Sequence, residues 1–327
     1  MKKRHFLMKA ALSAGTAALL LAQPALAQNY PQRAIRMVVT APPGGTADFL
    51  ARVMAEHMTR ELKQSVVVDN RAGASGMLGA DLVAKAAPDG YTFLLTEGAS
   101  LAINSTLRKD LPFKPQQDLL PLSLVATTPS ILVANPSFPA SNVKELIAMA
   151  KKDPGAVSYA SPGVGTPHHL AGAQLAKMAG VDMNHVPYKG GGSMITDVVS
   201  GQVPLLFTGA LGPLPFLKTG KLKAIAIGSR ARNPMLKDVP TFAESGYPEF
   251  EAEVFFGAFM PAKTPADVVA TLSRSIAAAM ANAEVRKKLE EQALTVVGSS
   301  PEQLRTHFSQ ETDKWGALIK SANLTLE

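Results

Sequence analysis

Two blocks of this 327-residue chain alternate a short apolar strand with an amphipathic helix in nearly the same order. That alternation confines the fold to α/β layers with mostly parallel sheets, because a strand that returns through a helix lies beside its predecessor and runs the same way. The first block predicts strand 34–40, helix 46–62, strand 65–69, helix 76–86, an Ala-Pro-Asp-Gly turn and strand 91–96. In its first helix Leu50, Val53, Met54 and Met58 recur at i, i+3, i+4 and i+8, the spacing of a core-facing stripe. The second block, after Pro136, predicts helix 142–152, strand 156–160, helix 166–179, strand 185–187, a helix from about Gly191, and strands 203–208 and 222–227. A repeated layout without a sequence repeat implies two lobes of one class and a cleft between them.

Two long apolar stretches, 122–134 (LSLVATTPSILVA) and 250–261 (FEAEVFFGAFMP), carry no helical stripe and are each followed by a proline-containing turn. They suit a pair of hinge strands, in which a few residues absorb a closure angle. The expected division is 28–127 with 253–327 for the first lobe and 128–252 for the second. The helix-rich stretch from 265 onward should pack back on the first lobe.

The start of the chain is cationic at Lys2, Lys3, Arg4 and Lys9, apolar over 10–21, and reads Ala25-Leu26-Ala27 before Gln28. This is the pattern of a signal peptide over 1–27 cleaved after Ala27, which predicts export to the periplasm. The alternative, a membrane anchor, needs about 20 apolar residues, more than this run supplies. The absence of cysteine removes disulfide scaffolds and thiol chemistry. The net charge of +7 falls to +3 without the four leader cations, and no Lys/Arg run is interleaved with aromatics, so no nucleic-acid partner is expected.

Nucleotide motifs fail on residue identity. Gly220-Lys221 is followed by Leu222 where a P-loop needs Ser or Thr, and Gly163-Val164-Gly165-Thr166-Pro167 meets His168 where a dinucleotide loop needs its third glycine. No G-x-S-x-G elbow surrounds Ser75, Ser100 or Ser193, and no H-E-x-x-H pattern accompanies His168 and His169. No cofactor and no metal are expected. Four glycine-bearing loops survive, each leading into a predicted helix: 43–46, 73–76, 163–167 and 190–193. Each is either an ordinary βα turn or, where two face one another across a cleft, an anion site made of unpaired N–H groups and a helix dipole. The loops at Gly45 and Gly165 are the favoured pair, with Thr46 and Thr166 as caps.

Several runs, in order, also resemble one known family: YPQRAIRMVV, PPGGTADFLAR, VVVDNRAGASGMLGADLVAKAAPDGYTFLL, ASLAINSTL, GTPHHLAG, HVPYKGGG, DVPTFAESGYP and KWGALIKSA. The chain resembles the extracytoplasmic solute receptors of tripartite tricarboxylate transporters, the Bug proteins, over essentially all of its predicted mature length. The resemblance implies a two-lobed periplasmic binding protein fold of type II-like α/β architecture that closes on a small carboxylate. Carried over, it implies a first-lobe site on the loop from Pro42 to Asp48, with Ala41 and Pro43 beside it and Gly45 and Thr46 donating. Asp48 either shapes this loop or is simply a first-turn acid favoured by the helix dipole. Ser100 would add a wall, Gly165, Thr166 and His168 would face it from the second lobe, and Thr208 and Ala210 would line the remaining side.

Against the family pattern the chain has Ala41 for a bulky aromatic, His168 for a small hydroxyl residue and Thr208 for an Asp. The lost Asp argues against an amino-acid ligand, Ala41 leaves room for a ring, and His168 offers a partner to a second carboxylate. The expected function is a monomeric periplasmic receptor delivering a di- or aromatic carboxylate to a tripartite transporter. The alternatives are a ligand sensor docking a signalling protein and a hydrolase using His168 or His169.

Overall fold

The computed structural model describes residues 30–188 and 191–325. The leader expected over 1–27, its cleavage after Ala27, and Gly190 of the fourth glycine loop lie outside the described residues. The described residues from Arg33 onward form one compact unit.

Its elements follow as β1 (Ile35–Val39), α1 (Thr46–Leu62), β2 (Val66–Asn70), α2 (Met77–Ala84), β3 (Thr92–Glu97), α3 (Gly98–Leu107), α4 (Pro115–Asp118) and β4 (Leu119–Ala134). Next come α5 (Val143–Lys152), β5 (Ser158–Ser161), α6 (Pro167–Ala179), β6 (Asn184–Pro187), α7 (Gly191–Val199), β7 (Leu205–Gly209), α8 (Leu214–Lys218), β8 (Lys223–Ile227) and β9 (Glu253–Pro261). The chain ends in α9 (Ala266–Ala281), α10 (Ala283–Glu290), β10 (Thr295–Val296) and α11 (Pro301–Ser321).

The strands lie in the order β2-β1-β3-β9-β4-β7-β5-β6. The outer ladders are parallel: β1 with β2 and β3 on one side, β5 with β6 and β7 on the other. Antiparallel pairing enters at the middle, where β9 joins β3 to β4. The N-terminal part of β4 pairs with β9, and its last residues, Ile131 to Ala134, pair with β7 and β8. A single long strand thus serves both sheets, and its partner β9 runs into the first from the segment that leaves the second.

Each lobe has its own apolar interior. Leu94, Leu101, Phe255, Phe259 and Trp315 are buried together in the first, and Leu132, Tyr159, Phe207, Phe242 and Phe250 in the second. The stripe on α1 is core, with Leu50, Met54 and Met58 fully buried and Val53 at its margin. The C-terminal helices do pack on the first lobe, α9 against α1 and β4, and α11 against α3 and β4. Helix α3, which no stripe in the sequence marks, is buried on nearly every face.

Candidate functional site

Helix α1 begins where a β-strand ends in Pro-Pro-Gly-Gly. Gly45 is its N-cap without a side-chain cap, and Asp48 in the first turn does a different job. The buried Asp48 carboxylate accepts from the Gly44 N–H at 3.0 Å, from Arg52 Nε at 3.0 Å and from Asn70 Nδ2 at 2.9 Å. Asn70 Nδ2 also donates to the Ala41 carbonyl at 3.0 Å. Both ends of the loop are therefore fastened to β2. Burial acts to raise the Asp48 pKa, and the bonds from Arg52, Gly44 and Asn70 outweigh it and hold the carboxyl below its ordinary range.

The Gly45 N–H turns back on the Pro42 carbonyl at 3.3 Å, so it is not aimed outward. The next N–H groups, on Thr46 and Ala47, belong to the first helical turn and have no acceptor within the helix. Both residues line a cavity of about 830 Å³ between the lobes. The positive end of α1 thus opens on this space.

Of the residues expected at the site, Ala41, Pro43, Gly45 and Thr46 line the cavity from the first loop, and Ser100 from the first turn of α3. From the second lobe, Thr166, His168 and Thr208 line it. Asp48, Gly165 and Ala210 do not. Asp48 braces the loop from behind, and Ala210 is fully buried in the second lobe beside Ile131 and Met194.

The second glycine loop is not a mirror of the first. The Gly163 N–H is taken by Ser161 Oγ at 3.2 Å, the Gly165 N–H by His169 Nδ1 at 3.4 Å, and the Thr166 hydroxyl donates to the Gly163 carbonyl at 2.7 Å. What this loop offers the first lobe is carbonyls. The Val164 carbonyl accepts from Ser75 Oγ at 2.5 Å and the Gly165 carbonyl from Asn104 Nδ2 at 2.9 Å. Val164 packs at the edge of the first-lobe core and Leu170 within it. The glycine pair read as a two-sided clamp is one helix N-terminus facing a latch.

His168 is buried, and its Nδ1 shares a 2.9 Å hydrogen bond with Ser130 Oγ. Burial pushes its pKa down to about 3, so the ring is neutral in the physiological range and offers a ligand a hydrogen bond in place of an ion pair. His169 stacks on His185 with ring centroids 4.1 Å apart, and burial lowers these to about 4 and about 3. Among the described residues no group of three or more His, Asp and Glu is placed to hold a metal ion.

The sequence reading missed Glu97, Arg108, Tyr188 and Phe256, which also line the cavity. The loop 73–76, weighed above only as one glycine turn among four, lines it too, with Ala74 and Ser75 both in the left-handed region at φ 48° and 55°. Positive φ at two successive non-glycine residues is the local strain that accompanies binding loops.

Two α/β lobes joined by long antiparallel strands, with a donor-lined cavity between them, define a periplasmic-type solute-binding protein. The comparisons with known proteins agree and are more specific. The model of the tripartite tricarboxylate transporter family receptors matches residues 50–324. The chain is 37% identical to protein BugT of Bordetella pertussis over 94% of each chain. Its fold superposes on the periplasmic binding protein BugD with a TM-score of 0.84 at 34% identity, covering 90% of this chain and 99% of that one. It superposes on Rpa4515 of R. palustris, solved with adipate, with a TM-score of 0.86 at 32% identity, covering 91% of this chain and 99% of that one. The chain belongs to the tripartite tricarboxylate transporter receptor family, a family of solute-binding receptors.

Proposed function

We propose that this protein is a periplasmic receptor that captures a small carboxylate by closure of its two lobes and hands it to the membrane subunits of a tripartite transporter. The observation that carries this reading is the braced N-terminus of α1, whose Thr46 and Ala47 N–H groups open on the interlobe cavity. Donors of that kind, at the positive end of a helix, suit a carboxylate. The first carboxylate sits on this turn, with Ala41, Pro43 and Gly45 shaping its bed. Ser100, Thr166, His168 and Thr208 supply hydroxyl and imidazole partners further in, while Asp48, Gly165 and Ala210 act from behind the wall.

A dicarboxylate is the favoured ligand, in keeping with the adipate bound to the R. palustris relative. The lobes divide near 127/128 and 252/253, where β4 and the run into β9 cross, and the receptor acts as a monomer exported by its leader. We read it as a binder and not a hydrolase, because the family is one of solute-binding receptors, and the two serines hydrogen-bonded to neutral histidines, Ser130 to His168 and Ser161 to His185, are buried and do not line the cavity.

A thermal-shift panel of mono-, di- and tricarboxylates, followed by mass spectrometry of the recovered ligand, tests this. A rise in melting temperature with an unchanged ligand is expected. No shift with any carboxylate, or time-dependent ligand loss that His168→Ala abolishes, overturns it.

A further inference from the structure

Glu97 ends β3, caps α3 and lines the cavity. Strands β1 and β3 run in parallel with Val39 beside Leu95. The next pair, Thr40 and Thr96, joins its hydroxyls at 2.7 Å, so Glu97 comes level with Ala41, the first residue of the Pro-Pro-Gly-Gly loop. On its other side the ladder sets Glu97 opposite Phe256, an apolar ring on the same wall. Among the described residues nothing hydrogen-bonds its carboxyl and no cation pairs with it. A half-buried acid with no partner among the described residues, beside an anion-binding turn, is a group for the ligand to satisfy.

Among the described residues, the cavity's other titratable groups are Arg108, His168 and Tyr188. Arg108 sits past the far end of α3, about 15 Å along its axis at 1.5 Å per residue, and donates to Asn104. His168 is neutral, and burial together with a hydrogen bond to Asp197 pushes Tyr188 up to about 12. Strands β7 and β9, the first loop and α7 contribute only uncharged residues to the cavity, and Asp48 behind that loop is matched by Arg52. In these surroundings burial pushes Glu97 up to about 7, and among the described residues it is the cavity group that titrates near neutrality.

We propose that Glu97 is a specificity-determining residue that works as a neutral acid, donating its O–H to the second carboxylate of a dicarboxylate whose first is held at the α1 N-terminus. Each dicarboxylate then binds with Glu97 protonated, and a proton is drawn from solvent to the extent that the free acid was ionised. An ionised Glu97 would meet that second carboxylate as a like charge in a poorly solvated space. The inference rests on the carboxylate reading of the cleft given above.

Isothermal titration with succinate, glutarate and adipate, in buffers of different ionisation enthalpy, tests it. With the acid titrating at about 7, linkage predicts uptake of about half a proton near neutrality and affinity about 25-fold weaker at pH about 8.5 than at about 6.5. In Glu97→Gln, whose amide donates at every pH, both the uptake and the pH dependence should vanish. Binding that is flat with pH and moves no proton overturns the role of Glu97 and leaves the carboxylate function standing. Affinity that rises with pH and releases a proton also overturns it, since Glu97 would then act ionised on a cationic group. If none of the three binds and tricarboxylates and monocarboxylates also fail, both the inference and the carboxylate reading fall.

Discussion

Replacing Asn104 with alanine should weaken ligand binding without altering the cavity wall. Asn104 is fully buried and does not line the cavity. Its amide donates to the Ser100 carbonyl at 2.8 Å and the Gly165 carbonyl at 2.9 Å, and its oxygen accepts from Arg108 Nε at 2.9 Å. The bond to Gly165 crosses from one lobe to the other, so it exists only when the lobes are together. Truncation leaves that carbonyl unsatisfied in the closed form, whereas water satisfies it in an open form. One unsatisfied buried acceptor costs about 1–3 kcal/mol. Because the cost falls on the closed form alone, it should appear in affinity as a loss of roughly 5- to 150-fold.

The assay is calorimetric titration of the carboxylate that gives the largest thermal shift, on wild type and Asn104→Ala, with circular dichroism melting to establish that the variant folds. A Kd within twofold of wild type in a normally melting variant would refute the latch. A second variant sharpens the test. A Cβ at Gly165, already at φ 77°, would stand 2.7 Å from Asn104 Oδ1, so Gly165→Ala should cost less in the Asn104→Ala background than alone. Strict additivity of the two changes would count against their contact.

Other expectations follow from the same geometry. Ala41→Phe should narrow the ligand range by filling the cavity beside the α1 turn; a ring-containing ligand bound as tightly as before would contradict it. Gly98→Ala would put a Cβ 2.0 Å from the Phe255 ring, an overpacking expected to cost about 1–3 kcal/mol by chemical denaturation, and an unchanged midpoint would show that the ring can move aside. His169 is buried as a neutral acceptor for the Gly165 N–H, with its pKa lowered to about 4. Its folded value lies below the unfolded one, so its contribution is fully present above about 6.5 and is lost as pH falls toward about 4, roughly 3 kcal/mol in all. His169→Gln should flatten that part of the stability profile, and an identical acid dependence in the variant would assign the loss to other groups.

Much of the first lobe was legible in the sequence because its signals are local. Helix α1 starts at Thr46 as the glycine pair and the Leu50, Met54, Met58 spacing require, and Asn142 and Thr166 cap α5 and α6 through their own side chains. Helix α3 was illegible for the opposite reason. Ala99, Leu101, Ile103 and Leu107 are buried alongside Ser100 and Asn104, and a helix covered on nearly all sides carries no amphipathic period to read. Glu97 and Arg108 flank that helix and were lost with it.

The sequence by itself determined the alternation of strand and helix, the two long crossing strands and the donor-bearing turn at the start of α1, since each follows from residues within a few positions of one another. Only the tertiary structure decided which of those donors remain free. Asp48 takes the Gly44 N–H and Pro42 that of Gly45, while Ser75 and Asn104 reach partners 89 and 61 residues away to turn the second glycine loop from a clamp into a latch. Hydrogen-bonding capacity is a property of residue type, but whether it is spent depends on which distant groups the fold brings within 3 Å or so of it.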